Sequence, residues 1–250
     1  MRRITNQNAG GTCCFLVLLV ALLFTGCVRD PGLVSYEGKD YAGALRHFQS
    51  RGDPAGDFAA GVMYYKGEGV EPNPAEAAVW FGKAAAAGHA SARYNLGLLY
   101  LNGEGVAKDL QEAFCWFSQA AVQGDARAQY NLGLMYARGD GVTEDRSATL
   151  HWFKAAAEQG YVKAQIYLGG MYARGEGVLK DRHEAARWFR MAAEQDSTEA
   201  QVYLGAMYAR GDGVDKDRES AIHWLEKAAR KGSVKAQRYL EQLSAKHAGK

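Results

Sequence analysis

The chain has 250 residues, 30 lysines and arginines against 28 acidic residues, and four cysteines. Beyond Cys27 the balance is 28 basic to 28 acidic, since Arg2 and Arg3 are the only charges before it. So neutral a chain lacks the basic footprint that nucleic acid requires, and so few thiols argue against a disulfide-stapled scaffold.

Met1-Arg2-Arg3 is a short basic start, and Cys13 to Phe24 is an apolar run of 12 residues. That is too short for the ~20 residues of a spanning helix. It has the order of a secretory signal. The run ends Phe24-Thr25-Gly26-Cys27, which resembles a bacterial lipobox, although Phe24 stands where leucine is usual. The resemblance implies a signal peptide over 1–26 and Cys27 as an acylated first residue that binds a membrane. A plain signal peptide or a retained anchor is the alternative. Residues 27–39 are rich in turn formers without helical period and read as a tether. Residues 40–52 read as a degenerate half-repeat: Gly52 is in register with Gly88, but Ala44 fills a tryptophan slot and Phe48 an alanine slot. End repeats of a stack are expected to be atypical.

From 53 to 232 one unit recurs five times. Gly-x-Gly-Val begins at Gly67, Gly103, Gly139, Gly175 and Gly211, each step 36 residues. Trp80, Trp116, Trp152, Trp188 and Trp224 keep the same register, as do Tyr64, Tyr100, Tyr136, Tyr172 and Tyr208. A fixed period of this length marks a stacked repeat. In the unit from Asp125 to Gly160, Ala128, Leu132, Met135 and Tyr136 make a helical stripe. A glycine interrupts that helix in every copy (Gly61, Gly97, Gly133, Gly169, Gly205). Glycine there costs about 1 kcal/mol relative to alanine, so its recurrence predicts a neighbouring helix too close for a Cβ. The paired glycines of the phrase end the helix and reverse the chain. Asn73, Asp109, Asp145, Asp181 and Asp217 then serve as N-caps, and Glu76, Glu112 and Glu184 three residues on give a capping-box pattern. Ala113, Trp116, Phe117, Ala120 and Ala121 form the second stripe. Glycine closes the unit at 88, 124, 160 and 232, and Asp196 replaces it once, predicting a local change in that turn. Residues 233–250 supply a capping helix and tail, with Glu241 and Gln242 in place of Gly-x.

The fold class is therefore all-α, an α/α solenoid of 36-residue helix-turn-helix units. The pattern Ala-x-x-x-Leu-Gly-x-x-Tyr, Gly-x-Gly-Val, Asp, Ala-x-x-Trp, Ala-Ala, Gly resembles Sel1-like repeats, relatives of the tetratricopeptide repeats. That resemblance covers about 40–239 and implies adaptor, assembly or regulatory roles, commonly in bacterial envelopes. Some cysteine-rich secreted relatives are linked to β-lactam binding, but this array has only Cys115.

Catalytic chemistry is not visible. Gly-x-Gly here ends a helix rather than following a strand, so a dinucleotide loop fails its context. His151 and His223 share a slot two units apart, on the order of 20 Å for helices stacked ~10 Å apart. They cannot ligate one metal. Cys115 reads as half-exposed helix surface, where a reactive thiol would need electropositive neighbours. No enzyme activity, cofactor or small-molecule substrate is expected.

The tetratricopeptide relationship implies that first helices line a concave face. Its slots carry Phe58, Val62, Tyr65, Tyr94, Leu98, Leu101, Tyr130 and Leu134 early in the array. Later slots carry Ile166, Gly170, Ala173, Val202, Ala206 and Ala209, beside Arg138, Arg174 and Arg210 in the slot that begins with Lys66. The expected groove has an aromatic half that anchors apolar side chains and a shallower half edged by arginines that meet carboxylates. The competing reading is that the aromatics pack between repeats and each arginine pairs with the acid two residues on. The expected function is a lipid-anchored, periplasm-facing scaffold of a bacterial envelope that binds a protein or peptide. A soluble periplasmic or secreted form is the alternative location. The alternative functions are a β-lactam-binding or hydrolysing repeat protein and a structural assembly factor of a secretion or polysaccharide-export complex.

Overall fold

The computed structural model describes residues 29–248, which form thirteen α-helices without a strand. The signal-peptide stretch, the lipobox-like motif and Cys27 lie outside the described residues. Two end helices, α1 (Pro31–Glu37) and α2 (Tyr41–Arg51), precede five hairpins. These are α3 (Pro54–Lys66) with α4 (Pro74–Ala86), α5 (Ala90–Asn102) with α6 (Leu110–Val122), and α7 (Ala126–Arg138) with α8 (Arg146–Glu158). Then follow α9 (Val162–Arg174) with α10 (Arg182–Glu194), α11 (Thr198–Arg210) with α12 (Arg218–Arg230), and a closing α13 (Val234–Ala248). Each helix packs on its neighbours in the chain, and α13 also reaches α11. This is the one-dimensional stacking of a solenoid. None of the described helices is long and apolar enough to cross a membrane.

The hinge of each hairpin is held by backbone bonds. Gly103 takes a left-handed φ of +75°, and its N–H and that of Glu104 both donate to the Leu99 carbonyl, at 2.8 and 3.0 Å. That satisfies a carbonyl at the end of α5. Gly105 matters for a different reason: a Cβ there would lie 2.2 Å from the Pro74 backbone, in the first turn of α4. The Asp109 carboxylate then accepts from the Gln111 and Glu112 N–H groups, capping α6. The capping boxes expected of Glu76, Glu112 and Glu184 are displaced by another bond. The N–H those glutamates would take is already donated, Asn73 to the Tyr64 carbonyl at 2.8 Å, Asp109 to Tyr100 at 3.0 Å and Asp181 to Tyr172 at 2.9 Å. Asp145 and Asp217 bond to Tyr136 and Tyr208 in the same way. The cap therefore ties the second helix to the first across the hinge.

Packing explains the mid-helix glycines. A Cβ on Gly97 would stand 2.8 Å from the ring of Phe117, which is fully buried. Phe81, Phe153 and Phe189 lie likewise on Gly61, Gly133 and Gly169, and Leu225 takes the place on Gly205. Trp116, next to Phe117, reaches instead onto the cluster shared by α4 and α5. Trp80, Trp152, Trp188 and Trp224 make the corresponding reach in their units. One side chain of each Trp-Phe pair closes its own hairpin and the other locks it to the preceding one.

A polar ladder runs through the same seam. Gln129, Gln165 and Gln201 are buried and donate to the carbonyls of Ala121, Ala157 and Ala193, at 3.1, 3.1 and 3.3 Å. Gln159 and Gln195 donate to the side-chain oxygens of Gln129 and Gln165, at 2.8 and 2.9 Å. Lys231 stands where the next such glutamine would be and pairs with Asp196. The Gln201 Oε1 is left without a partner among the described residues. The 36-residue spacing of these glutamines is the ladder's signal in the sequence, although a glutamine taken alone reads as surface.

Two expectations fail at irregular positions. Residues 31–37 are helical rather than part of a tether. Asp30 caps them by accepting from the Gly32 and Leu33 N–H groups, and Pro31 sits in the first turn. The helix is two turns long with Leu33 and Val34 exposed, so it has no apolar period to read. Tyr36 holds it to the first hinge by donating to Glu68 at 2.9 Å. Burial, with that carboxylate second, pushes the Tyr36 phenol up to about 12. Asp196 leaves its turn unchanged in hand, with φ +69° against +85° at Gly160. Aspartate is among the few side chains that tolerate this region, and here its carboxylate accepts from Gln201 and pairs with Lys231 of the next unit.

Gly97→Ala is expected to lower the unfolding free energy by ~1–3 kcal/mol through overpacking on Phe117, despite improved helix propensity. Gly82→Ala, whose Cβ would meet nothing within 4 Å, should raise it by up to ~1 kcal/mol. Urea unfolding of both variants distinguishes the two, and stabilisation by Gly97→Ala would contradict the packing argument. A second prediction concerns His89, whose Nδ1 caps α5 by accepting from the Ala92 N–H at 3.2 Å while the ring stacks on Phe58. Burial holds its pKa below the ordinary value. The folded state therefore binds fewer protons than the unfolded one, and stability falls as pH drops from about 6.5 through the lower folded value. His89→Asn should keep the cap and flatten that acid limb in thermal melts between pH 7 and 4.

Candidate interaction face

The first helices of the hairpins carry every slot expected to meet a partner. In the first three units the large side chains are half-buried and packed. Phe58 lies 5.8 Å from Phe81 and 4.5 Å from His89 between ring centroids. Tyr94 lies 5.8 Å from Phe117, with the Arg127 guanidinium 4.3 Å over its outer face. Tyr130 sits between Phe153 and Tyr161, at 5.6 and 5.3 Å, and burial pushes its phenol up. Val62, Leu98, Leu101 and Leu134 pack against the clusters behind them. Tyr65 is the exception, 44% exposed and donating to Glu104 at 2.7 Å. The aromatic half thus serves mainly the joints between helices.

The fourth and fifth units differ through a one-residue shift. The ring that stands at 58, 94 and 130 moves to the next position, Tyr167 and Tyr203, with Ile166 and Val202 in the old slot. A helical step of one residue turns the side chain by about 100°, and both rings fold back onto the preceding helix. Tyr167 stacks on Phe153 at 4.3 Å and Tyr203 on Phe189 at 4.8 Å. Phe153 is thereby covered from both sides by Tyr130 and Tyr167, while Phe189 lacks the forward ring. Gly170 then replaces the Val62, Leu98 and Leu134 of earlier units. The result is a cavity of 370 Å³ between α9 and α11, with Ile166, Gly170, Phe189 and Met207 at its base and sides. A wider, more open hollow of 510 Å³ lies beyond Tyr203, toward α13.

Arg174 and Arg210 of the expected set edge this cavity, joined by Arg182 from the first turn of α10. Arg174 donates from Nε and a terminal nitrogen to Glu176, at 2.5 and 2.8 Å. Those bonds hold the Glu176 carboxyl below its usual range. Arg182 and Arg210 share Asp212, at 2.6 and 3.2 Å. The arginine-to-acid pairing expected two residues on is therefore present at Glu176 and Asp212. Arg138 forms no ion pair among the described residues. Exposed pairs of this kind are worth ~0–1 kcal/mol, so they orient the guanidinium groups without locking them. Arg182 carries no signal in the sequence, since its slot holds Pro74, Leu110 and Arg146 in earlier units and belongs to second helices.

Elsewhere Cys115, His151 and His223 lie exposed on second helices, the histidine rings edge-on to Trp152 and Trp224. No group of three or more His, Cys, Asp or Glu placed to hold a metal occurs among the described residues.

With this geometry in hand, the chain can be set beside known proteins. The Sel1 repeat model matches residues 54–89, 90–125, 126–161, 162–197 and 198–233. A Sel1 repeat protein from Oxalobacter formigenes is 38% identical, with a TM-score of 0.78 over 85% of this chain and 88% of that one. A protective antigen of uropathogenic Escherichia coli with an SLR fold is 36% identical, with a TM-score of 0.80 over 82% of this chain. The match spans 46% of that antigen's chain. A Pseudomonas aeruginosa immunity protein, 17% identical at a TM-score of 0.51 over 83% of each chain, shares the fold alone. No curated protein matches. Five consecutive matched repeats, and relatives of the same architecture above one-third identity, place the chain in the Sel1 repeat family, whose members serve generally as non-catalytic scaffolds for protein interactions.

Proposed function

We propose that this chain is a scaffold of the bacterial cell envelope that captures one partner protein on the face formed by its first helices, at the junction of the fourth and fifth repeats. The observation that carries this reading is the cavity between α9 and α11, opened by Gly170 and the displaced Tyr167 ring and edged by three arginines. Elsewhere on the same face the equivalent space is filled by Tyr94, Leu98, Tyr130 and Leu134. Tyrosine and arginine are the side chains most often responsible for interface energy, and here they surround an apolar recess. Export to the envelope rests on the basic start, the 12-residue apolar run and Cys27. The matched relatives named above are bacterial as well.

A photo-crosslinking phenylalanine analogue placed at Ala173, on the cavity, is expected to trap one discrete partner in living cells. The same analogue at Cys115, exposed on α6, should trap none. Equal products from both positions, or a product from Cys115 alone, would contradict the choice of face. Mass analysis of the mature N-terminus is expected to find a diacylated or triacylated Cys27, and Cys27→Ser should release the protein from the membrane fraction. An unmodified first residue other than Cys27 would refute the anchor.

A further inference from the structure

The cavity does more than mark a face, because its chemistry is divided. Its floor is apolar: Ile166, the Gly170 backbone, Phe189 and Met207. Its rim at the hinge end is cationic, with Arg174 the last residue of α9, Arg210 the last of α11 and Arg182 the first of α10. All three converge at one end because the last turn of a first helix and the first turn of a second helix meet beside the hinge. Two carboxylates also line the cavity, Asp212 between Arg182 and Arg210, and Glu199 near the start of α11. Glu199 lies eleven residues before Arg210, about 16 Å along a helix that rises 1.5 Å per residue. The arginine end is thus positive and the far end negative.

The guanidinium groups retain donors for a further anion. Each has five N–H donors. Arg182 gives one bond to Asp212, Arg210 gives one to the same carboxylate, and Arg174 gives two to Glu176. Arg174 also folds over Gly170: a Cβ there would lie 3.0 Å from a guanidinium nitrogen. The missing side chain at 170 therefore both hollows the floor and lets Arg174 lean over it. In the second and third units the equivalent slot is Leu98 or Leu134 and the last residue of the helix is Asn102 or Arg138. Neither earlier unit combines a small floor residue with a terminal arginine.

We propose that the cavity recognises an acidic peptide segment of the partner, placing one apolar side chain on the floor and an adjacent carboxylate among Arg174, Arg182 and Arg210. This rests on the assignment of the first-helix face as the capture surface and adds the chemistry of what is captured. A carboxylate bound by guanidinium forks makes charge-assisted hydrogen bonds that neutral amides do not match. Glu199 repels a second carboxylate at the opposite end, so the acidic position is fixed relative to the apolar one. The carboxylate comes either from an internal Asp or Glu or from a free C-terminus, and the probes separate the two.

The test uses the full-length chain and a positional-scanning library of fluorescent hexapeptides, synthesised in C-terminal acid and C-terminal amide forms. Polarisation is expected to select peptides with one carboxylate next to an apolar residue. Replacing that carboxylate by its amide should weaken binding at least tenfold, and raised salt should weaken it further. Preference confined to the acid form assigns a C-terminal carboxylate, and preference retained in the amide form assigns an internal one. Either supports the proposal. In Arg174→Glu/Arg210→Glu the preference should invert to Lys or Arg with the thermal midpoint unchanged, a result that simple loss of structure does not produce. Gly170→Leu, which installs the residue of Leu98 and Leu134, should fold and lose binding at least tenfold. Selected peptides that bind regardless of charge but are lost in Gly170→Leu would overturn the acidic assignment while leaving the face intact. Peptides bound equally by Gly170→Leu, or no peptide bound at all, would overturn both.

Discussion

The structure depends on one close approach. In each hairpin a bulky side chain of the second helix lies on a glycine of the first, at a separation where a Cβ would sit within 3.0 Å of it. Glycine in mid-helix is unfavourable by about 1 kcal/mol, and the approach offsets that loss by burying a phenylalanine ring, or Leu225 in the fifth unit, worth ~1.5–3 kcal/mol. With the helices that close, the hinge is short enough for the N-cap N–H to reach the tyrosine carbonyl of the first helix. The neighbouring tryptophan then lies where it reaches the preceding unit. Ring, cap and tryptophan are consequences of one spacing.

Because that scaffold is fixed by the invariant slots, the others are free to vary without loss of the fold. Phe58, Tyr94 and Tyr130 use that freedom to thicken the joints between first and second helices. Tyr167 and Tyr203 do the opposite, turning back onto the previous helix, so that the buried Phe189 has Ile166 where Phe153 has the ring of Tyr130. A cavity forms from a shift of one residue and one leucine-to-glycine difference between units, with no change in backbone architecture. Its position beside the hinges also explains its charge. Arg174 and Arg210 end first helices, where the helix dipole favours a cation, whereas Arg182 begins a second helix and is held beside them by Asp212. An interaction surface on a repeat scaffold is in this sense a set of departures from the repeat.

The fold was legible in the sequence because a 36-residue period repeats every structural statement five times. The mid-helix glycines, the N-caps at Asn73, Asp109, Asp145, Asp181 and Asp217, and the reversing glycine pairs each had a physical reason visible without coordinates. The glutamates three residues after the caps misled, since sequence does not show that the N–H in question is given to a tyrosine carbonyl 9 residues earlier. The short helix α1 was hidden because two turns with exposed Leu33 and Val34 carry no period. For the face, the gradient from large to small slots and the arginines at 174 and 210 were readable. That Tyr94 and Tyr130 are half-buried, and that the ring shift opens the later half, was not, because both depend on side-chain direction across a helix pair. Arg182 belongs to a slot that holds Pro74 and Leu110 in the first two units and arginine only from Arg146 onward, and only the fold brings it beside Arg210.

The central claim is that the junction of the fourth and fifth repeats, through its first helices, captures the partner. Amide hydrogen exchange of the full-length chain, with and without the partner trapped at Ala173, tests it directly. Slowed exchange is expected to be confined to 162–182 and 198–212, with α4 and α6 unaffected. Protection that instead fell on the second helices, or spread evenly over all five units, would contradict it.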